Sequence, residues 1–346
     1  MERNDKIILG ALAGAGLVGG LALLSARRSA YEFRDKVVMI VGGSRGLGLV
    51  MARRFAAEGA AIVLCARDPG ELLRAQSELE SMGARVGAIA CDVTDQQEIE
   101  RAVSEIAAQF GPVEVLVNNA GIIRVGPLEL QTQEDFEEAM QVHFWGPFYA
   151  TQAVLPEMKR RGSGRIVNIS SIGGKVAVPH LSSYCASKFA LVGLSSAMRT
   201  ELVQHGVYVT TVCPGLMRTG SHINAEFKGQ NEKEFALFSV MDALPLTSVS
   251  AENAARQILN AARRGDAELT ISVQAKLAAR FNAVFPATTA GILELVNRFL
   301  PGPGTNDTTA FTGLESTSGI SPSIVTTLID EAAEENNELK PNEQIH

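Results

Sequence analysis

The chain has 346 residues, 46% of them hydrophobic, enough for one large domain or two modest ones with a substantial core. A formal net charge of −7 argues against the basic patch that nucleic-acid binding needs, so no nucleic-acid partner is expected. The four cysteines, Cys65, Cys91, Cys185 and Cys213, lie far apart without C-x-x-C spacing, which predicts reduced, buried thiols and no metal site.

First in chain order is the stretch 7–24 (IILGALAGAGLVGGLALL), eighteen residues without a charge. As a helix it would be roughly 27 Å long, just enough to cross a hydrocarbon core. The exit Ser25-Ala26-Arg27-Arg28 offers no small-x-small cleavage site, and Arg34 and Lys36 add further positive charge behind it. That bias predicts a membrane anchor with the main domain on the cytoplasmic side. A soluble cytoplasmic protein with a Gly/Ala-rich extension is the alternative. A G-x-G-x-x-G pattern at Gly14, Gly16 and Gly19 falls in this stretch, without a preceding strand or a later acidic residue. Small-residue helix packing in lipid explains those glycines better.

Apolar, β-branched runs then predict buried parallel strands at 37–41, 61–64, 86–90, 113–117, 165–170, 207–213 and 269–272. Helical periodicity fills the intervals, at 47–58, 71–82, 97–110, 134–161 and 183–205. The alternation predicts an α/β class, a Rossmann-like doubly wound parallel sheet forming a single catalytic domain over residues 36–273, after an N-terminal segment 1–35. Residues 274–300 read as a helical extension interrupted at Pro286, with Leu277, Phe281 and Phe285 on one face. That face suits a substrate lid, a dimer surface, a membrane-surface helix or packing on the core. Residues 301–346 are Pro/Gly/Thr-rich and then acidic, which predicts a mostly disordered tail.

The chemistry starts at VGGSRGLG, 41–48, placed between the first strand and the first helix. Gly42, Gly46 and Gly48 let the backbone turn and approach a pyrophosphate, and the helix N-terminus at Leu47 favours its charge. At the end of the second strand, where an acidic residue would hold the ribose hydroxyls of NAD, stand neutral Ala66 and then Arg67. With Ser44 and Arg45 in the glycine turn, two guanidinium groups and a hydroxyl suit a 2′-phosphate, so NADP(H) is expected over NAD(H). A surface pair between Arg67 and Asp68 is the bland alternative.

Tyr184 and Lys188 form a Tyr-x-x-x-Lys pair, which a helix would place on one face. A neighbouring ammonium favours phenolate and so brings a tyrosine toward a useful acid/base range. Thirteen residues upstream, Ser171 follows the strand RIVNIS, at the strand end where ligands bind in this architecture.

With these motifs the chain resembles a short-chain dehydrogenase/reductase, of the branch with a T-G-x-x-x-G-x-G turn and Y-x-x-x-K, over about residues 36–272. Further matching pieces are Asp92-Val93, Asn118-Asn119-Ala120-Gly121, and Pro214-Gly215 with Thr219. The resemblance implies that Tyr184 is the general acid/base and that Ser171 polarises the carbonyl. It also implies that Lys188 binds the nicotinamide ribose and lowers the tyrosine. Asp92 and Val93 would flank the adenine, Asn118, Ala120 and Gly121 would line the cofactor cleft, and Pro214, Gly215 and Thr219 would hold the nicotinamide end. Two positions depart from the pattern: Val41 stands where the family has Thr, and His143 where it has the Asn of a catalytic tetrad. An imidazole titrating near 6.5 could serve a proton relay there.

The stretch 216–246, which normally covers the substrate in this family, holds Met217, Phe227, Phe235, Phe238 and Met241. It points to an apolar or lipid-like carbonyl or alcohol substrate. A homodimer or homotetramer is the expected assembly. The readings from other classes are a cofactor-binding sensor or scaffold with weak redox activity, and a non-redox epimerase or dehydratase on the same fold.

Overall fold

A computed structural model describes residues 31–245, 247–319, 321, 323, 326–341 and 343. The apolar stretch 7–24 lies outside the described residues, and among those described no helix is long and apolar enough to cross a membrane.

The described strands are β1 (Val37–Val41), β2 (Ala61–Ala66), β3 (Val86–Ala90), β4 (Val115–Asn118), β5 (Arg124–Val125), β6 (Gly164–Ile169), β7 (Val207–Pro214), β8 (Leu216–Arg218), β9 (Glu226–Lys228), β10 (Ser248–Ser250), β11 (Glu268–Ile271) and β12 (Ala310–Thr312), and β1, β2, β3, β4, β6, β7 and β11 form a parallel central sheet. Their spatial order is β11-β7-β6-β4-β1-β2-β3. The β-branched runs are buried on both faces because helices cover the sheet on each side; all of β1, β4 and β6 is buried. The chain moves outward in one direction from β1 to β3 and in the other from β4 to β11. The carboxyl ends of β1 and β4 therefore border the crevice at the point where strand order reverses.

Helix ends follow local chemistry. Asp68 accepts the Glu71 N–H to cap Pro69–Ser81, and Asp95 caps Gln96–Gln109. The helix Gly46–Ala57 that follows the glycine turn has no side-chain cap, which leaves its first-turn donors for other acceptors. The single helix expected over 134–161 is three pieces: Gln133–Met140, a π turn Gln141–Trp145, and Gly146–Arg161. Pro147 cannot donate to the His143 carbonyl, and the Gly146 N–H reaches back to Gln141 instead, so the ladder widens there.

Two regions depart from expectation. The helices Val273–Val284 and Pro286–Asn297 break at Pro286 as predicted, but Leu277, Phe281 and Phe285 are 61%, 41% and 52% exposed, so that stripe does not pack on the core. The tail 301–346 is not mostly disordered in its described parts. Strand β12 (Ala310–Thr312) pairs antiparallel with β9 (Glu226–Lys228), which also pairs in parallel with β5 (Arg124–Val125). The helix Thr327–Glu335 buries Ile329, Ala332 and Ala333. Too few apolar residues stand together here to form a core of their own, and order comes from surface supplied by the main domain.

Candidate active site

The glycine turn is locked to the segment after β4. Gly42 adopts φ +76°, and a Cβ there would lie 2.6 Å from the Ala120 backbone. At Gly48 a Cβ would fall 1.9 Å from the Gly42 carbonyl oxygen, so only glycine fits. The Asn119 amide donates to that same carbonyl at 2.7 Å, and the Asn119 and Ala120 N–H groups both donate to the Val41 carbonyl at 2.9 Å. This backbone tie forms although Val41 brings no hydroxyl.

Across the crevice, Ser171 closes β6 and caps the short 3-10 turn Ile172–Gly174, its Oγ accepting the Gly173 N–H at 3.0 Å. The helix Ser182–Leu202 presents Tyr184 and Lys188 on one face, with Lys188 Nζ 5.6 Å from the tyrosine ring centre. Ser171 hydrogen-bonds the Tyr184 hydroxyl, and Lys188 Nζ donates to the Ile169 carbonyl at 3.0 Å. Serine, tyrosine and lysine thus converge as their spacing predicted.

A family model described as short chain dehydrogenase matches residues 36–229. The chain belongs to the short-chain dehydrogenases. It is 38% identical over 271 residues to dehydrogenase/reductase SDR family member 7B of Danio rerio, covering 75% of this chain and 85% of that protein. Against gluconate 5-dehydrogenase of Gluconobacter oxydans it is 37% identical over 181 residues, covering 52% and 71%. A short-chain dehydrogenase structure from Streptomyces avermitilis superposes with a TM-score of 0.66 at 30% identity, covering 76% of this chain and 97% of that one.

Within this family's site the electrostatics differ from the expectation. Burial pushes the Tyr184 hydroxyl up to about 12, against the Ser171 hydrogen bond, which lowers it. Burial also pushes Lys188 down to about 7. Desolvation is the largest influence on both groups, and the Lys188 amine donates to a backbone carbonyl.

His143 is fully buried in the π turn, its ring edge-on to Tyr184 with centroids 5.5 Å apart. Its Nε2 accepts the Ile122 N–H at 3.1 Å, which assigns the proton to Nδ1, 2.8 Å from Ser187 Oγ. Burial first, and Lys188 second, hold it well below its ordinary 6.5. Titration near 6.5 is therefore corrected: the imidazole is neutral at physiological pH, and both nitrogens are engaged.

On the adenosine side, Ser44 donates to Glu71 Oε2 at 2.8 Å and Arg45 to Glu71 Oε1 at 3.1 Å. Glu71 was not anticipated, because it comes from the first turn of the helix after β2 rather than from the strand end. Arg67 is exposed at the end of that strand, and Asp68 caps the helix; among the described residues the two form no ion pair. Asp92 Oδ1 accepts the Thr94 N–H and hydroxyl, both at 2.8 Å, while buried Val93 lies against Gly146. Gly121 sits beside His143 and Lys188. The Asn118 amide turns into the sheet, donating to Asn168 Oδ1 at 2.8 Å, and so ties β4 to β6; its neighbour Asn119 holds the turn.

Past β7, the Gly215 N–H donates to Ile271 and the buried Thr219 hydroxyl donates to Ser221 at 2.9 Å. Phe227 and Phe235 are fully buried, packed edge-on at 5.4 Å in a satellite core with Val125 and Ala225. Those two aromatics support the fold rather than line a substrate surface. Asp242, in the helix Asn231–Ala243, is buried and raised to about 7 by desolvation, and its charge acts on Tyr184. A lone Asp in a covering helix carried no motif by which to find it.

Proposed function

We propose that the chain interconverts a carbonyl and an alcohol by hydride transfer with NADP(H), acting chiefly as a ketone or aldehyde reductase. The observation that carries this reading is the convergence of Ser171, Tyr184 and Lys188 beside the glycine turn. The chain's residues fit a dinucleotide: a turn too tight for a Cβ at Gly42 or Gly48 leads into a helix without a side-chain cap, whose first-turn N–H groups suit a phosphate. When bound, NADP(H) supplies the hydride. Ser171 Oγ holds the substrate oxygen, and Tyr184, protonated at neutral pH, donates a proton to it. Lys188 binds the ribose, while His143 braces the helix behind Tyr184 through Ser187.

The exposed Arg67 supports a 2′-phosphate partner. Met217 and the 47%-exposed Met241, in the segment that follows β7, support an apolar or lipid-like substrate. The uncharged stretch 7–24 supports anchoring of the catalytic domain at the cytoplasmic face of a membrane, and recovery of the whole protein without detergent would count against it.

Consumption of NADPH and NADH against a panel of ketones and aldehydes tests the activity, with Tyr184→Phe as the control. We expect turnover with NADPH and a loss of roughly 10³-fold in the variant. Undiminished turnover by Tyr184→Phe would overturn the assignment.

A further inference from the structure

Residues 336–338 lie on the glycine turn. The helix Thr327–Glu335 brings them there, approaching so closely that a Cβ at Gly220 would fall 2.3 Å from the Ala333 Cα. The Gly46 N–H, at the open start of the first helix, donates to the Asn336 carbonyl at 2.8 Å. Asn336 Nδ2 donates to the Thr219 carbonyl at 3.3 Å, and its Oδ1 accepts from Arg53 at 2.8 Å. Asn337, at φ +60°, donates to the Ser44 carbonyl at 2.8 Å and the Glu71 carbonyl at 3.1 Å, and accepts from Arg74 at 2.6 Å. The Glu338 side chain is 3% exposed. One of its carboxylate oxygens accepts from Asn224 at 2.8 Å and lies 3.3 Å from Arg45 Nε. The other stands 2.5 Å from where a Gly46 Cβ would be.

These three residues use the groups that a dinucleotide would need. They take a first-turn N–H, a guanidinium beside the turn and the backbone of the turn itself, and they bridge to Thr219 on the opposite wall. A carboxylate at a helix N-terminus is stabilised by the same partial positive charge that favours a phosphate. We infer that Asn336–Glu338 are an internal ligand of the cofactor cleft, which must leave before the pyrophosphate can bind. This rests on the dinucleotide reading above. Exclusion follows from charge and space: a diphosphate on the turn would meet the Glu338 carboxylate in a water-poor cradle, and the Gly46 N–H is already occupied. Burial raises Glu338 to about 7 despite Arg45, so desolvating its carboxylate opposes docking of the segment.

The test measures NADPH and NADH affinity for the full chain, for a chain ending at Gly319, and for full-length Glu338→Ala and Asn337→Ala. If the segment is docked about nine-tenths of the time, its removal should tighten the dissociation constant about tenfold, with the point variants tightening it less. The point variants keep the test valid if the shortened chain fails to fold. Cleavage after Glu334, Glu335 or Glu338 by a glutamate-specific protease should accelerate when NADPH is added to the full chain. Equal or weaker binding on removal, or protection of the tail by NADPH, would overturn the inference, because a clamp over bound cofactor predicts both. Failure of every variant, including the shortened chain, to bind either dinucleotide would overturn the cofactor reading and this inference with it.

Discussion

His143 Nδ1 lies 2.8 Å from Ser187 Oγ, and Ser187 in turn bonds the Tyr184 carbonyl at 2.9 Å, so the imidazole holds the helix that carries the tyrosine. Its pKa is lowered, which keeps it neutral at physiological pH. The pH–rate profile of His143→Asn should therefore keep the parent's inflections near neutrality. His143→Ala should unfold more easily by about 1–3 kcal/mol, because the Ile122 N–H and Ser187 Oγ lose a buried partner. An inflection near 6.5 in the parent that His143→Asn abolishes would restore the imidazole to the proton path.

Lys188 makes the stability of the cofactor-free chain pH-dependent. Its pKa falls from 10.5 to about 7 on burial, so between those values the unfolded chain holds a proton that the folded chain has released. Stability contributed by this group must rise with pH across that window and be lost as pH falls toward 7. Denaturant midpoints between pH 7 and 10 should climb more steeply for the parent than for Lys188→Met. Parallel slopes would show that Lys188 is not desolvated.

Asn119 holds the glycine turn through the Gly42 carbonyl. Asn119→Ala removes one partly buried hydrogen bond, worth about 1 kcal/mol. We expect dinucleotide affinity to fall several-fold, with turnover at saturating cofactor almost unchanged. A fall in turnover without a change in affinity would place Asn119 in the chemistry instead.

Glu71 draws both Ser44 and Arg45 toward itself. Glu71→Gln should leave Arg45 with less competition and strengthen NADPH binding by roughly tenfold, about 1.4 kcal/mol. Arg67→Asp should raise the NADPH KM strongly and shift preference toward NADH. If neither variant changes the ratio of the two cofactors, a 2′-phosphate is not read at this corner.

Much of the site was legible because its signals are local. The glycine spacing of the turn, the i, i+4 pair Tyr184–Lys188 and the β-branched strands depend on backbone sterics and periodicity that a short window contains. The two aromatics Phe227 and Phe235 were harder to place, since apolar residues in a covering segment look alike whether they face a substrate or each other. Glu71, Asp242 and the inward turn of Asn118 were out of reach, because each depends on which element packs beside it.

The pattern of residues by itself determined the doubly wound sheet, the place of the glycine turn and the pairing of Tyr184 with Lys188 on one helix face. Tertiary structure alone decided three things: the neutral state of His143, the raised pKa of Tyr184, and the ordered course of the described part of a tail whose composition predicted disorder. The physical reason is common to all three. Desolvation and long-range hydrogen bonding depend on what surrounds a group, and Glu338, 290 or more residues from the turn it touches, draws its surroundings from Arg45 and Asn224.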